Sequence, residues 1–244
     1  MFGKLFGAKP AEKKVSEADA KNAAMLDAIR ARSKEDPLIG AKIGAKEVVE
    51  RLLTAMRDER GIHAESLLCA AGALAGYACQ ASLRAQTFAN GKSAATELVT
   101  VETTGGKRYF FGDPLNRAVA EDRLSVWGIA GGAAEHLGVK EFFDVHEVFQ
   151  HTAAVIGTSE FGVPRLPANH QTSALPAVYL KALWPALFPT VKLLCPNPAH
   201  WHVLYSLAVQ DLIFYVKDAI DPALAFRIVM ESAIPMSKID LPNA

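Results

Sequence analysis

The chain has 244 residues, half of them apolar and about a fifth charged, which is an ordinary globular composition with room for one large domain or two small ones. Its 26 Lys and Arg balance its 26 Asp and Glu, so the basic excess of a dedicated nucleic-acid binder is missing and no nucleic-acid partner is expected. Cys69, Cys79 and Cys195 form no C-x-x-C pair, which argues against a disulfide scaffold and for a reducing compartment. The opening MFGKLFGAKP turns polar too soon for a secretory signal, so the expected location is cytoplasmic.

Residues 1–14 carry Lys4, Lys9, Lys13 and Lys14 against Glu12, interleaved with Phe2, Leu5 and Phe6. So short an amphipathic run does not nucleate a helix alone. It reads as a flexible basic N-terminal tail, or else as a weak membrane-surface or partner-binding arm. Residues 15–244 are expected to form a single helical domain.

Ser16 is placed to cap a helix running to about Arg32, with Glu17 and Asp19 in its first turn, and Asp36-Pro37 breaks it. A second helix is predicted over Ala45–Arg57, because Val48, Val49, Leu52, Leu53 and Met56 share one face. Gly61 ends this helix or the turn after it. Glu65–Arg84 is the segment the rest is built around. Leu67–Cys79 carries no charge, yet it is well short of the roughly 20 residues of a bilayer span. A buried helix is therefore predicted, with no membrane span. Gly72 and Gly76, four apart, give it a small face for close packing.

A phosphate-loop reading of Gly91-Lys92-Ser93 fails, since Gln86 stands where the first glycine belongs and a helix, not a strand, precedes it. Residues 97–111 form the one good strand signal, two β-rich runs around Gly105-Gly106. A two-residue turn there would place Thr104 opposite Lys107, Glu102 opposite Tyr109 and Val101 opposite Phe110. A lone hairpin is marginal in water. It must pack on helices, find another strand, or pair across a subunit boundary as a homodimer.

Asp122–Leu137, with Gly128, Gly131 and Gly132, is predicted as a second small-residue helix that packs on Glu65–Arg84. Lys140–Ile156 is the next helix. Around it gather Glu135, His136, Asp144, His146, Glu147 and His151. His146 and His151 are five apart, about 140° around a helix, and cannot easily share a zinc ion as an H-E-x-x-H pair does. Glu147 and His151 are four apart, which suits an intrahelical pair on a solvated face. No metal and no cofactor are assigned.

Seven prolines follow within 35 residues. The stretch Gly157–Thr172 has no periodicity and offers Arg165, Asn169, His170 and Gln171; it is either a binding loop or a surface connection pinned by prolines. Together with Glu147 and His151 these four are the candidate ligand-binding residues, and no catalytic residue is assigned. A helix from about Leu175 is predicted to end or kink near Leu183, ahead of Pro185. Cys195-Pro-Asn-Pro-Ala-His200-Trp-His202 resembles a metal loop, but Asn197 and Pro198 open a helix, and His200 and His202 then point to opposite sides. Ala199–Ile220 is a second core helix in which Asp211, flanked by Leu212 and Ile213, requires a partner if it is buried. Asp221-Pro222 caps a last helix to about Ala233, and the remainder reads as loop or extended chain.

The expected architecture is mainly α, one multi-helix domain with buried Gly/Ala-rich helices and one inserted β-hairpin. Three functional readings follow. The first is a non-enzymatic protein-interaction or regulatory module that acts on a protein partner or as a homodimer. The second is a hydrolase-like enzyme, metal-assisted or not, using His and carboxylates of 135–151 with the 157–172 loop. The third is a small-molecule binder whose apolar ligand lies between the small-residue helices.

Overall fold

The computed structural model describes residues 17–89, 91 and 98–241, with side chains from residue 23 onward. The basic segment 1–14 and the Ser16 cap lie outside the described residues. The fold is mainly α. Its elements are α1 (Glu17–Arg32), α2 (Ile39–Ala55), a minimal ladder of β1 (Arg57–Asp58) and β2 (Gly61–Ile62), α3 (Ala64–Ala89), a hairpin of β3 (Val99–Glu102) and β4 (Arg108–Phe111), α4 (Asp113–Asn116), α5 (Val126–His136), α6 (Val145–Ala154), α7 (Pro176–Leu194), α8 (Trp201–Tyr215) and α9 (Pro222–Met236). The β1–β2 ladder adds a second, very short hairpin to the one that was expected.

Buried side chains from α2, α3, α5, α7, α8 and α9 form one contiguous core. α3 runs through its middle, apolar on nearly every side. Its glycine face does not meet α5, as the small-residue pattern suggested; it meets α9. A Cβ on Gly72 would lie 2.5 Å from the Val229 carbonyl oxygen. α5 packs instead on α8 and α9, and Gly131 lies against the Phe226 ring. The interface between α3 and its glycine partner is thus filled by backbone, with no room for a ligand at Gly72 and Gly76.

Several boundaries differ from the sequence expectation for local reasons. α2 begins at Ile39 rather than Ala45, since Gly40 and Gly44 let the chain approach α7 and α8: a Cβ on Gly40 would lie 2.5 Å from the Leu194 carbonyl oxygen. α5 begins at Val126, where Ser125 accepts the Gly128 N–H at 3.0 Å, and α6 begins at Val145, where Asp144 accepts the His146 N–H at 2.9 Å. α7 does not stop before Pro185. It continues through Pro185 and Pro189 to Leu194. Both prolines and Lys181 lie on the exposed side, where carbonyls released by the missing N–H groups reach water. The inner stripe Leu180, Trp184, Leu187, Val191 and Leu194 stays buried. Asp211, on α8, finds its partner in Lys46 at 2.7 Å.

The hairpin turns through three residues, not two. Thr103 is paired with Lys107, Val101 with Tyr109 and Thr100 with Phe110. Gly106 has φ +75°, the left-handed residue that follows a type I turn in three-residue loops, and this shifts the register by one. The hairpin's further partner is the chain's own C-terminal segment. The Phe110 N–H donates to the Lys238 carbonyl at 2.7 Å, the Asp240 N–H donates to Arg108 at 3.2 Å, and Tyr109 bridges Ile239. Gln80 of α3, fully buried, donates to the Ser237 and Ile239 carbonyls at 2.9 and 3.0 Å. The segment expected as loop or extended chain is therefore a clamp between hairpin and core, and α9 itself extends to Met236.

Among the described residues, α3 and α7 are long and apolar enough to cross a membrane by length and composition. The two differ sharply in setting: 89% of the α3 window is buried inside the protein, against 28% for α7.

Candidate functional site

The loop 157–175 crosses the starts of α3 and α6 and the C-terminal half of α9, and two polar clasps hold it there. In the first, Arg165 stands between two glutamates. Its backbone N–H and Nε both donate to Glu231 Oε2 at 3.3 Å, Nη2 donates to Glu231 Oε1 at 2.9 Å, and Nη1 donates to Glu147. Arg227, one turn before Glu231 on α9, reaches Glu231 at 3.4 Å and Glu147 at 3.9 Å. Two guanidiniums thus meet two carboxylates. Hydrogen bonding to Arg165, with the charges of both arginines, holds the Glu147 carboxyl below its ordinary pKa. Desolvation works against the charge on Arg165, but its bonds to Glu147 and Glu231 outweigh it and raise its pKa.

In the second clasp, His170 Nδ1 lies 2.8 Å from Glu65 Oε1 and His63 Nε2 lies 3.3 Å from Glu65 Oε2. Burial pushes the Glu65 pKa up, yet the His170 hydrogen bond and the two imidazoles carry it below the ordinary value. His63 Nδ1 meets Ser66 Oγ at 2.7 Å, and that oxygen accepts the Ser173 N–H at 2.9 Å. A serine, an imidazole and a carboxylate are therefore in line. The serine is buried and its oxygen is held by the Ser173 backbone, and the three belong to one helix start, with Ser66 in the first turn of α3. This is an arrangement that secures a helix end.

The structure brings Arg165 and Glu147 together and places His170 on Glu65. The other candidates do not converge with them. Gln171 donates to Leu166 and Pro167 at 3.1 and 3.0 Å and closes the loop on itself, and Asn169 is exposed. The Glu147 carboxylate turns to the two arginines, and His151, one turn further along α6, adds to the charge that lowers the pKa of Glu147. Glu231 escaped the sequence reading, although Arg227 four residues before it was a usable signal. Among the described residues no group of three or more His, Cys, Asp or Glu is placed to hold a metal ion. Burial lifts the Cys69 thiol to about 11 and the Cys79 and Cys195 thiols to about 12, so none is a ready thiolate at neutral pH. At the former metal-loop sequence, Asn197 caps the following turn through the Ala199 N–H at 3.0 Å. Burial lowers His202 to about 4.

A different feature is unengaged. The outward face of α7 presents Leu175, Val178, Ala182, Pro185, Ala186, Pro189 and Leu193 to solvent. These positions repeat at helical spacing, so α7 carries a second apolar stripe opposite its buried one. The sequence of α7 contains Lys181 and Lys192 but no acidic residue.

Comparison of the chain with known protein families, curated proteins and solved structures yields no match.

Proposed function

We propose that the protein is a non-enzymatic interaction module that docks a partner protein through the outward stripe of α7. What carries this reading is the exposure of Val178 and Leu193, 55% and 46%, on a helix whose other face is fully packed. Exposed apolar stripes of this kind mark interaction surfaces. Ala182 and Ala186, four apart, lower the centre of the stripe and let another helix come close. The occupant that fits is an apolar helix flanked by acidic side chains, because Lys181 and Lys192 stand on α7 without a carboxylate on the same helix. A lipid surface is the weaker match. Interfacial helices offer aromatic and leucine-rich faces, whereas the aromatic Trp184 of α7 is turned into the core, stacked on Phe188. The polar clasps support the non-enzymatic side of the reading, since the charged loop residues engage one another. The buried free thiols suit the cytoplasm.

The test is a photo-crosslinking residue at Ala186 of the full chain in its native cell. The crosslinked protein is then purified and its affinity measured for wild type and for Ala186→Asp and Lys192→Glu. The expected result is a defined partner with an acid-flanked apolar helix, bound about tenfold more weakly by each variant. A partner whose affinity ignores both substitutions overturns the proposal. So does a wild-type dimer in light scattering that Ala186→Asp dissociates, or binding of the chain to anionic vesicles through this face.

A further inference from the structure

A cleft of about 420 Å³ opens where the hairpin, the C-terminal clamp, the 157–175 loop and the start of α7 meet. That volume falls within the range of small-molecule sites. Its lining divides into two parts of unlike chemistry. The inner part is apolar: Tyr109 and Phe161, edge to face at 4.8 Å, with Met236 and Leu241, of which Tyr109, Met236 and Leu241 are buried.

The outer part is cationic. Lys107 and Arg108 come from the hairpin and Lys181 from α7, against the single acid Asp240. That carboxylate is already held by Arg108 at 2.6 Å and by Arg84 at 3.4 Å. Lys107 and Lys181 make no ion pair among the described residues, and both are exposed. The three bases and one acid of the lining leave a surplus of two positive charges. Ala177, the second residue of α7, also faces the cleft. At that position a backbone N–H has no acceptor within its own helix, and the positive end of the helix dipole lies there. Surplus cations, a helix start and an aromatic floor of buried Tyr109 and half-buried Phe161 thus face one space.

We infer that this cleft binds a small amphiphilic anion, a carboxylate or phosphate head between Lys107, Lys181 and the Ala177 N–H, with an apolar body over Tyr109 and Phe161. The cleft does not rest on the partner-docking reading: its lining includes no residue of the outward stripe, and only Lys181 enters both arguments.

The test is calorimetric titration of the full chain with octanoate, octyl phosphate and octanol, each as monomer in solution, at low and at moderate salt. Saturable one-to-one binding of at least one anion is expected, with octanol about tenfold weaker and the anion affinity falling with salt. Lys107→Glu and Lys181→Glu, both at exposed positions, should each weaken the anion about fivefold while circular dichroism stays unchanged. Whichever anion binds names the head group. No saturable binding of either anion, equal affinity for octanol, or affinities that ignore both lysine variants would overturn the assignment.

Discussion

Gly76 of α3 and Ala233 of α9 meet backbone to backbone: a Cβ on Gly76 would come within 2.6 Å of the Ala233 carbonyl carbon. The obstacle is main chain, so no rotamer change can relieve it. The glycine lowers intrinsic helix stability by about 1 kcal/mol relative to alanine, and the contact between the two central helices is what that cost secures.

Gly76→Ala should therefore destabilise the protein by about 3 kcal/mol, at the upper end of overpacking effects, despite the better helix propensity of alanine. Gly132 is the control. It lies within α5, is exposed, and has nothing within 4 Å of a built Cβ. Gly132→Ala should stabilise by roughly 0.5–1 kcal/mol. Urea titrations of the two variants check both signs, and two losses of similar size would refute the packing account.

The Arg165 clasp predicts an asymmetry between its two acids. Glu231 has a side chain only 2% exposed, while that of Glu147 is 51% exposed. Arg165→Ala leaves Glu231 with Arg227 alone, at 3.4 Å, and should cost about 3 kcal/mol. Glu147→Gln leaves a solvated site and should cost less than about 1 kcal/mol. Equal midpoints for the two variants in denaturant would show that Glu231 does not depend on Arg165.

Lys238 is 1% exposed, donates to Asn116 Oδ1 at 2.8 Å, and sits over the Phe111 and Phe149 rings at 5.5 and 5.4 Å. Burial lowers its pKa from 10.5 to about 8. Between those values the unfolded chain binds the extra proton, so this group's contribution to stability rises with pH across the window and its penalty is complete below about 8. The three buried thiols act the other way: they ionise more readily when unfolded, and stability falls above about pH 9. The Lys238 effect is therefore read as a difference. Wild type should gain on Lys238→Met by about 3 kcal/mol between pH 8 and 10.5, measured by chemical denaturation at each pH. A difference that stays flat would mean that Lys238 titrates normally in the folded protein.

Much of the fold was legible because local rules and global packing agree there. The apolar run Leu67–Cys79, the Asp221-Pro222 helix start and the glycine pair of the hairpin each carry their own signal. What the residues do not encode locally is partner choice. The spacing of Gly72 and Gly76 announces a close contact, but only tertiary packing selects α9 over α5. Likewise Pro185 reads as the end or a kink of its helix, and only its exposed position explains why the helix continues past it. The candidate site was half legible for the same reason. Arg165, His170 and Glu147 were found by residue type, whereas Glu231, Glu65 as the His170 partner, and the cleft at Lys107 and Lys181 depend on contacts between segments far apart in sequence.

The clamp formed by residues 237–241 also sets an order of events during synthesis. Gln80 and the Ser237 carbonyl it holds are 157 residues apart. At a translation rate of about 5–20 residues per second, α3 and the hairpin wait on the order of ten seconds for that segment to be made. Through that interval the Gln80 amide is answered by water and the hairpin edge stays unpaired, and α3 waits as well for α7, α8 and α9, the helices that bury it.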